Sequence, residues 1–174
     1  TIEGYRKSTG WAKDQRVYFV IKVSKPFKEY KIFKNGTVTK SPVTDKDTKI
    51  VLNYDTAANE QIVLKTGIST ANIAGAYQSL EIEAPHFDFD VIKNEAENKW
   101  ETQLRKIDIT VADDTKKHIF YTMLYQSMLA PTLLSDHDGN YKGANDKTMN
   151  AKGFDRYDTF ALWDTYRAAH PLYT

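Results

Sequence analysis

Cysteine is absent from the 174 residues, which excludes disulfides, thiolate zinc sites and a cysteine nucleophile. Equally absent is an excess of charge, since 24 Lys and Arg stand against 23 Asp and Glu, for a formal net charge of +1. Such a balance creates no long-range field to attract a polyanion, so binding of nucleic acid by charge neutralisation drops out. No apolar run approaches the about 20 residues a membrane-spanning helix needs. Internal repeats and low-complexity tracts are missing too. At the start, Thr1-Ile2-Glu3-Gly4 has neither an initiator Met nor the regions of a signal peptide. The chain stops at His170-Pro171-Leu172-Tyr173-Thr174, directly after an apolar helical stretch, so both ends read as cuts in something longer.

What is plentiful is aromatic side chains, 13% of residues, with 11 Tyr, 8 Phe and 3 Trp. Aromatics fill cores, and their flat faces also cover the C–H side of a pyranose in sugar-binding clefts. The first part of the chain reads as β. Residues 17–24 alternate, with Val17, Phe19, Ile21 and Val23 on one face and Tyr18, Val20, Lys22 and Ser24 on the other, as a strand with one buried side would. Asn35-Gly36 tolerates positive φ and sits between Tyr30-Lys31-Ile32-Phe33 and Thr37-Val38-Thr39, predicting a tight hairpin. Residues 49–54 and 61–68 supply two more β-rich runs. Short strands separated by turn signals predict an antiparallel sandwich.

The character changes near Pro85. Phe89, Ile92, Ala96, Trp100 and Leu104 recur at helical spacing, and Asp88 is placed to cap the helix they form. A strand-like run at 107–111 precedes a second helix over 115–129, so rich in apolar residues that other elements should enclose it. Residues 132–157, rich in Gly, Asp, Asn and Lys, predict a long loop or hairpin excursion. A third helix is expected over 159–169, ending before Pro171. Strands first and helices afterwards suggest an α+β chain of two domains in series.

Three constellations could carry chemistry. Asp136-His137-Asp138-Gly139-Asn140 has the alternating carboxylates of a calcium loop but lacks the later acidic positions, and reads as a turn. The four histidines, His86, His118, His137 and His170, include no pair at metal-ligand spacing. His118 falls on the enclosed helix and reads as a core or hydrogen-bonded side chain, and His170 as a partner of helix-terminal carbonyls. The densest polar and aromatic cluster spans 153–167, where helical spacing brings Asp164 and Arg167 within reach of an ion pair. That pair is structural on one reading. On the other, a carboxylate beside Trp163 is what sugar recognition wants: an acceptor for two vicinal hydroxyls next to an apolar platform.

Six separated motifs stand in order: Gly10-Trp11-Ala12-Lys13-Asp14-Gln15 leading into Val17-Tyr18-Phe19; Ser24-Lys25-Pro26-Phe27; Lys65-Thr66-Gly67-Ile68-Ser69; Phe120-Tyr121-Thr122-Met123-Leu124-Tyr125; the excursion from Ser135-Asp136 through Tyr141-Lys142-Gly143; and Leu162-Trp163-Asp164-Thr165-Tyr166-Arg167-Ala168-Ala169-His170-Pro171. Together they resemble glycoside hydrolase family 92, bacterial calcium-dependent exo-α-mannosidases. The resemblance implies an antiparallel β-sandwich followed by the first helices of an (α/α)6 toroid. It divides the chain into the later sandwich (1–86), a linker helix (87–106) and the beginning of the catalytic domain (107–174).

It further implies removal of terminal α-linked mannose, α-1,2 in preference, from glycans by inversion, with a carboxylic acid and a carboxylate base. Those two groups and the calcium ligands are expected beyond Thr174. Carried over are Asp164 as a ligand of mannose hydroxyls, Trp163 shaping the pocket and Arg167 orienting Asp164. The partners implied are a mannose-containing glycan and the remainder of the parent catalytic domain, without nucleic acid. The location implied is periplasmic, cell-surface or secreted in a bacterium. The alternative is a noncatalytic carbohydrate-binding or structural domain of the same ancestry.

Overall fold

The computed structural model describes residues 1–10, 12–144 and 146–174. Trp11 of the first motif and Asn145 of the excursion lie outside the described residues. The class expected from the sequence is the one observed: antiparallel sheets come first and helices follow. One sheet orders β1 (Ile2–Ser8), β2 (Gln15–Val23) and β6 (Leu64–Ser69) with β2 central, and the other orders β4 (Thr37–Thr39), β3 (Glu29–Lys34) and β5 (Thr48–Asn53) with β3 central. The β3–β4 hairpin turns at Asn35 and Gly36, whose φ values of 48° and 77° are the two positive angles a tight primed turn requires.

An element not anticipated from the sequence follows at once. Helix α1 (Ile73–Glu83) begins at Asn72, whose side chain accepts from the Gly75 amide at 2.8 Å, and it ends ahead of Pro85. Ile73, Ala76, Tyr77, Leu80 and Ala84 share one face at helical spacing. Val20, Ala76 and Leu80 form the buried cluster, with Ile73, Tyr77 and Ala84 packed around it. Helix α1 thus lies across β2 and β6. Its cover makes Val20, on the face with Lys22, the fully buried residue of β2, whereas on the other face Phe19, Ile21 and Val23 are half-buried and Val17 is 41% exposed.

The close approach is made possible by Gly67 on β6. A Cβ there would lie 2.2 Å from the Ala76 carbonyl oxygen and 2.7 Å from Leu80 Cβ. Two lysines fix the C-terminal end of the helix. Lys22 on β2 reaches Glu81 at 2.5 Å, and Lys65 on β6 donates to the Ala84 carbonyl at 2.6 Å, satisfying an acceptor at the helix C-terminus.

Helix α2 (Phe89–Leu104) is capped by Asp88, which accepts from the Val91 amide at 3.1 Å, as its sequence predicts. The run 107–111 is not a strand, because no neighbouring strand pairs with it among the described residues. Helix α3 (Asp114–Ser127) is capped by Asp113, with Asp114 in its first turn complementing the dipole. Within this chain α3 is not enclosed: Ile119 is 55% and Met123 53% exposed, and His118 is exposed. Helices α2 and α3 pack on one another through Trp100 and Tyr125, whose rings meet edge-on at 4.5 Å.

The excursion folds as a hairpin of β7 (Asn140–Lys142) and β8 (Thr148–Asn150). In place of one helix over 159–169 there are two short ones, α4 (Leu162–Thr165) and α5 (Ala169–Tyr173). Pro171 lies within the first turn of α5, where a missing N–H leaves no bond unmade.

Truncation of Leu80 to Ala should lower stability by about 2 to 5 kcal/mol, read as a reduced urea midpoint, because a fully enclosed side chain leaves a cavity. Gly67→Ala should also lower that midpoint, since backbone rather than a movable side chain opposes the added methyl.

Candidate functional site

The expected sugar-binding residues stand on and just after α4. Its single turn begins at Ala161, which supplies no side-chain cap, and its first N–H contact is Asp164 to the Ala161 carbonyl at 3.1 Å. Trp163 is 84% exposed and Asp164 is exposed beside it. A carboxylate and an indole are therefore both open to a ligand. Arg167 does not orient Asp164. Its Nε donates to the Tyr166 hydroxyl at 2.7 Å, its guanidinium lies 5.4 Å from the Tyr166 ring, and no ion pair joins it to Asp164 among the described residues. The reason is the early end of α4: Arg167 falls beyond the C-cap Tyr166, so it no longer sits one turn above Asp164.

A second place is concave. A cleft of about 660 Å³ opens between α1 and the excursion, with Glu83, Asp136, Asp138, Lys152, Phe154 and Asp155 among its walls. Trp163, Asp164 and Arg167 are not part of its lining. The anticipated turn at 136–140 forms one wall. The Gly139 amide donates to the Asp136 carbonyl at 2.8 Å with Gly139 at φ 81°, and Asp138 accepts from the Asn140 amide at 2.9 Å. His137 Nε2 meets Glu83 of α1 at 3.0 Å.

Asp136 does more than begin a turn. Its Oδ2 accepts from the Ser69 hydroxyl at 2.6 Å, and the same hydroxyl oxygen accepts from the amides of Ala71 at 2.9 Å and Asn72 at 3.2 Å. Ser69, almost wholly buried, thereby uses its one donor and both lone pairs. Gly75 makes the approach possible, since a Cβ there would lie 2.1 Å from Asp136 Oδ2. Burial raises the carboxyl of Asp136 above its ordinary range; the Ser69 hydrogen bond opposes that shift, and the negative charges of Asp138 and Glu83 add to it.

Sequence reasoning gave Asp136 no role beyond a turn because its partner lies 67 residues away on another element. For α1, a usable signal was present in Asn72 followed by apolar residues at helical spacing. Among the described residues no group of three or more carboxylates and imidazoles is placed to hold a metal ion.

Two family descriptions match the chain: the glycosyl hydrolase family 92 N-terminal domain over residues 1–69 and the glycosyl hydrolase family 92 catalytic domain over residues 75–174. Among solved structures, the family GH92 α-mannosidase BT3965 from Bacteroides thetaiotaomicron is similar at 30% identity and a TM-score of 0.84, over 98% of this chain and 24% of that one. BT3965 has also been solved in complex with mannoimidazole. The GH92 family glycosyl hydrolase ccman5 matches at 23% identity and a TM-score of 0.85, over 95% of this chain and 22% of that one. The family GH92 inverting mannosidase BT2199 from Bacteroides thetaiotaomicron VPI-5482 matches at 24% identity and a TM-score of 0.74, over 91% of this chain and 22% of that one. The chain thus spans about a quarter of the length of these structures. No curated protein matches the sequence.

Asp136→Asn should separate burial from shape. The raised carboxyl contributes stability in its neutral form, fully below the ordinary carboxylate range, and loses it as pH rises through the raised value. The Asn variant should therefore gain in thermal midpoint over the unaltered chain as pH rises above the ordinary carboxylate range and the Asp ionises.

Proposed function

Given that the chain belongs to glycosyl hydrolase family 92, we propose that it is part of an enzyme that removes terminal α-linked mannose from glycans, with α-1,2 preference and inversion of configuration. The observation that supports this reading best is the exposed pair Trp163 and Asp164, within the residues that match the catalytic domain. In it, Asp164 accepts hydroxyl hydrogens of the terminal mannose while Trp163 covers an apolar face of the ring. Arg167, held by Tyr166, is the nearby cation and contributes to the polar edge of the pocket rather than to the orientation of Asp164.

An inverting glycosidase needs an acid to protonate the leaving oxygen and a base to activate water, about 6.5 to 9.5 Å apart. We assign neither to this chain, and we place calcium, when bound, on residues outside it; as a Lewis acid such an ion would polarise sugar oxygens. The role proposed for the chain is to bind and orient mannose and to support the remainder of the catalytic domain. The periplasm, the cell surface or the exterior of a bacterium suits such an enzyme.

In the enzyme carrying this segment, Asp164→Ala should reduce kcat/KM on an aryl α-mannoside by about 10²-fold, since charge-assisted hydrogen bonds contribute about 1.5 to 3 kcal/mol. Unchanged kinetics would remove Asp164 from the site. The 174-residue chain by itself should release no mannose from the same substrate. If it binds mannose in an NMR titration yet the parent shows no glycosidase activity, the noncatalytic carbohydrate-binding reading replaces this one.

A further inference from the structure

The hydrogen bonds around Asp136 run in one direction through the molecule. Ser69 ends β6, and its hydroxyl is held by the first residues leading to α1. Asp136 binds that hydroxyl, and the residues on its N-terminal side are zipped to the segment before α4. The amides of Leu134 and Ser135 donate to the Arg156 carbonyl at 2.7 and 3.1 Å, the Arg156 amide donates to the Ser135 hydroxyl at 3.2 Å, and the Asp158 amide donates to the Thr132 carbonyl at 2.8 Å. Leu133 and Tyr157 form an isolated β-bridge within the same zip. Four residues past Asp158, α4 begins, carrying Trp163 and Asp164.

We propose that Asp136 is a positioning residue for the mannose-binding end of the chain: by clamping the excursion to Ser69 and the first turn of α1, it fixes where the 156–158 segment, and hence α4, stands relative to the first sheet. The clamp has no slack. Gly75 admits the carboxylate only because it lacks a side chain, and Ser69 has no remaining hydrogen-bonding capacity with which to take another partner. Burial and the nearby carboxylates of Asp138 and Glu83 hold the Asp136 carboxyl above its ordinary range, against the opposing Ser69 hydrogen bond and His137. The clamp itself rests on the geometry alone, whereas its effect on sugar binding rests on the mannosidase reading.

Two measurements keep these apart. In the 174-residue chain, Asp136→Ala should speed amide exchange at Leu134 and Asp158 at least tenfold while the amides of Val20 and Leu80 keep their protection. Asp136→Asn, which retains an acceptor for Ser69, should restore slow exchange, and Ser69→Ala should reproduce the loss without altering the carboxylate. In the parent enzyme, Asp136→Ala should raise KM for an aryl α-mannoside about tenfold with kcat little changed, and Asp136→Asn should rescue it. Unaltered exchange at Leu134 and Asp158 in both Asp136→Ala and Ser69→Ala would overturn the clamp. Kinetics that follow only the loss of thermal midpoint, equally in the Asn and Ala variants, would overturn the positioning role. Should Asp164→Ala leave KM unchanged while the exchange effect holds, the clamp stands and it is the sugar-site assignment that fails.

Discussion

The seam between β6 and α1 is the constraint from which the remaining architecture follows. Gly67 removes the one side chain that would hold the helix off the strand, and Val20, Ala76 and Leu80 fill the space so created. Lys22 and Lys65 tie the C-terminal end of α1 to the sheet, while its N-terminal end is held next to the end of β6 by the Ser69 hydroxyl, which accepts from the Ala71 and Asn72 amides. Only then can Ser69, Gly75 and Asp136 meet. The matched N-terminal domain ends at residue 69 and the matched catalytic domain begins at residue 75, so this joint falls where the two meet. A shift of a residue in β6 would turn Gly67 away from the helix and Ser69 away from Asp136 together.

Much of the fold is legible in the sequence where the signal is local. The Asn35-Gly36 turn, the Asp88 cap and the apolar stripe of α2 each depend on residues a few positions apart, and each is present. Long-range packing decides the rest. Alternation in β2 correctly marks a strand, yet both faces carry apolar residues, and only the arrival of α1 determines that Val20 is the one enclosed. The helix α1 was obscured because Ala and Gly dominate its first turns, so its stripe is weak until Leu80. The run 107–111 shows the converse: β-forming residues make no strand without a neighbour to pair with.

The site divides in the same way. Trp163 and Asp164 stand exposed side by side on α4, where their positions in the sequence put them. The partnership assigned to Arg167 required a continuous helix, and the chain breaks α4 after one turn, giving the guanidinium to Tyr166 instead. Asp136 lay beyond local reasoning altogether, since nothing within a few residues of it signals a buried hydroxyl on a distant strand.

The pairing of α2 with α3 differs in kind from the seam. Their contact rests chiefly on Trp100 and Tyr125, and much of the apolar surface of α3 faces outward. Cooperative units of a protein are set by shared enclosed surface, and these helices share little of it with the sheets. In the 174-residue chain taken alone, the helical pair is therefore expected to loosen on warming before the strand-and-helix body around Val20 and Leu80.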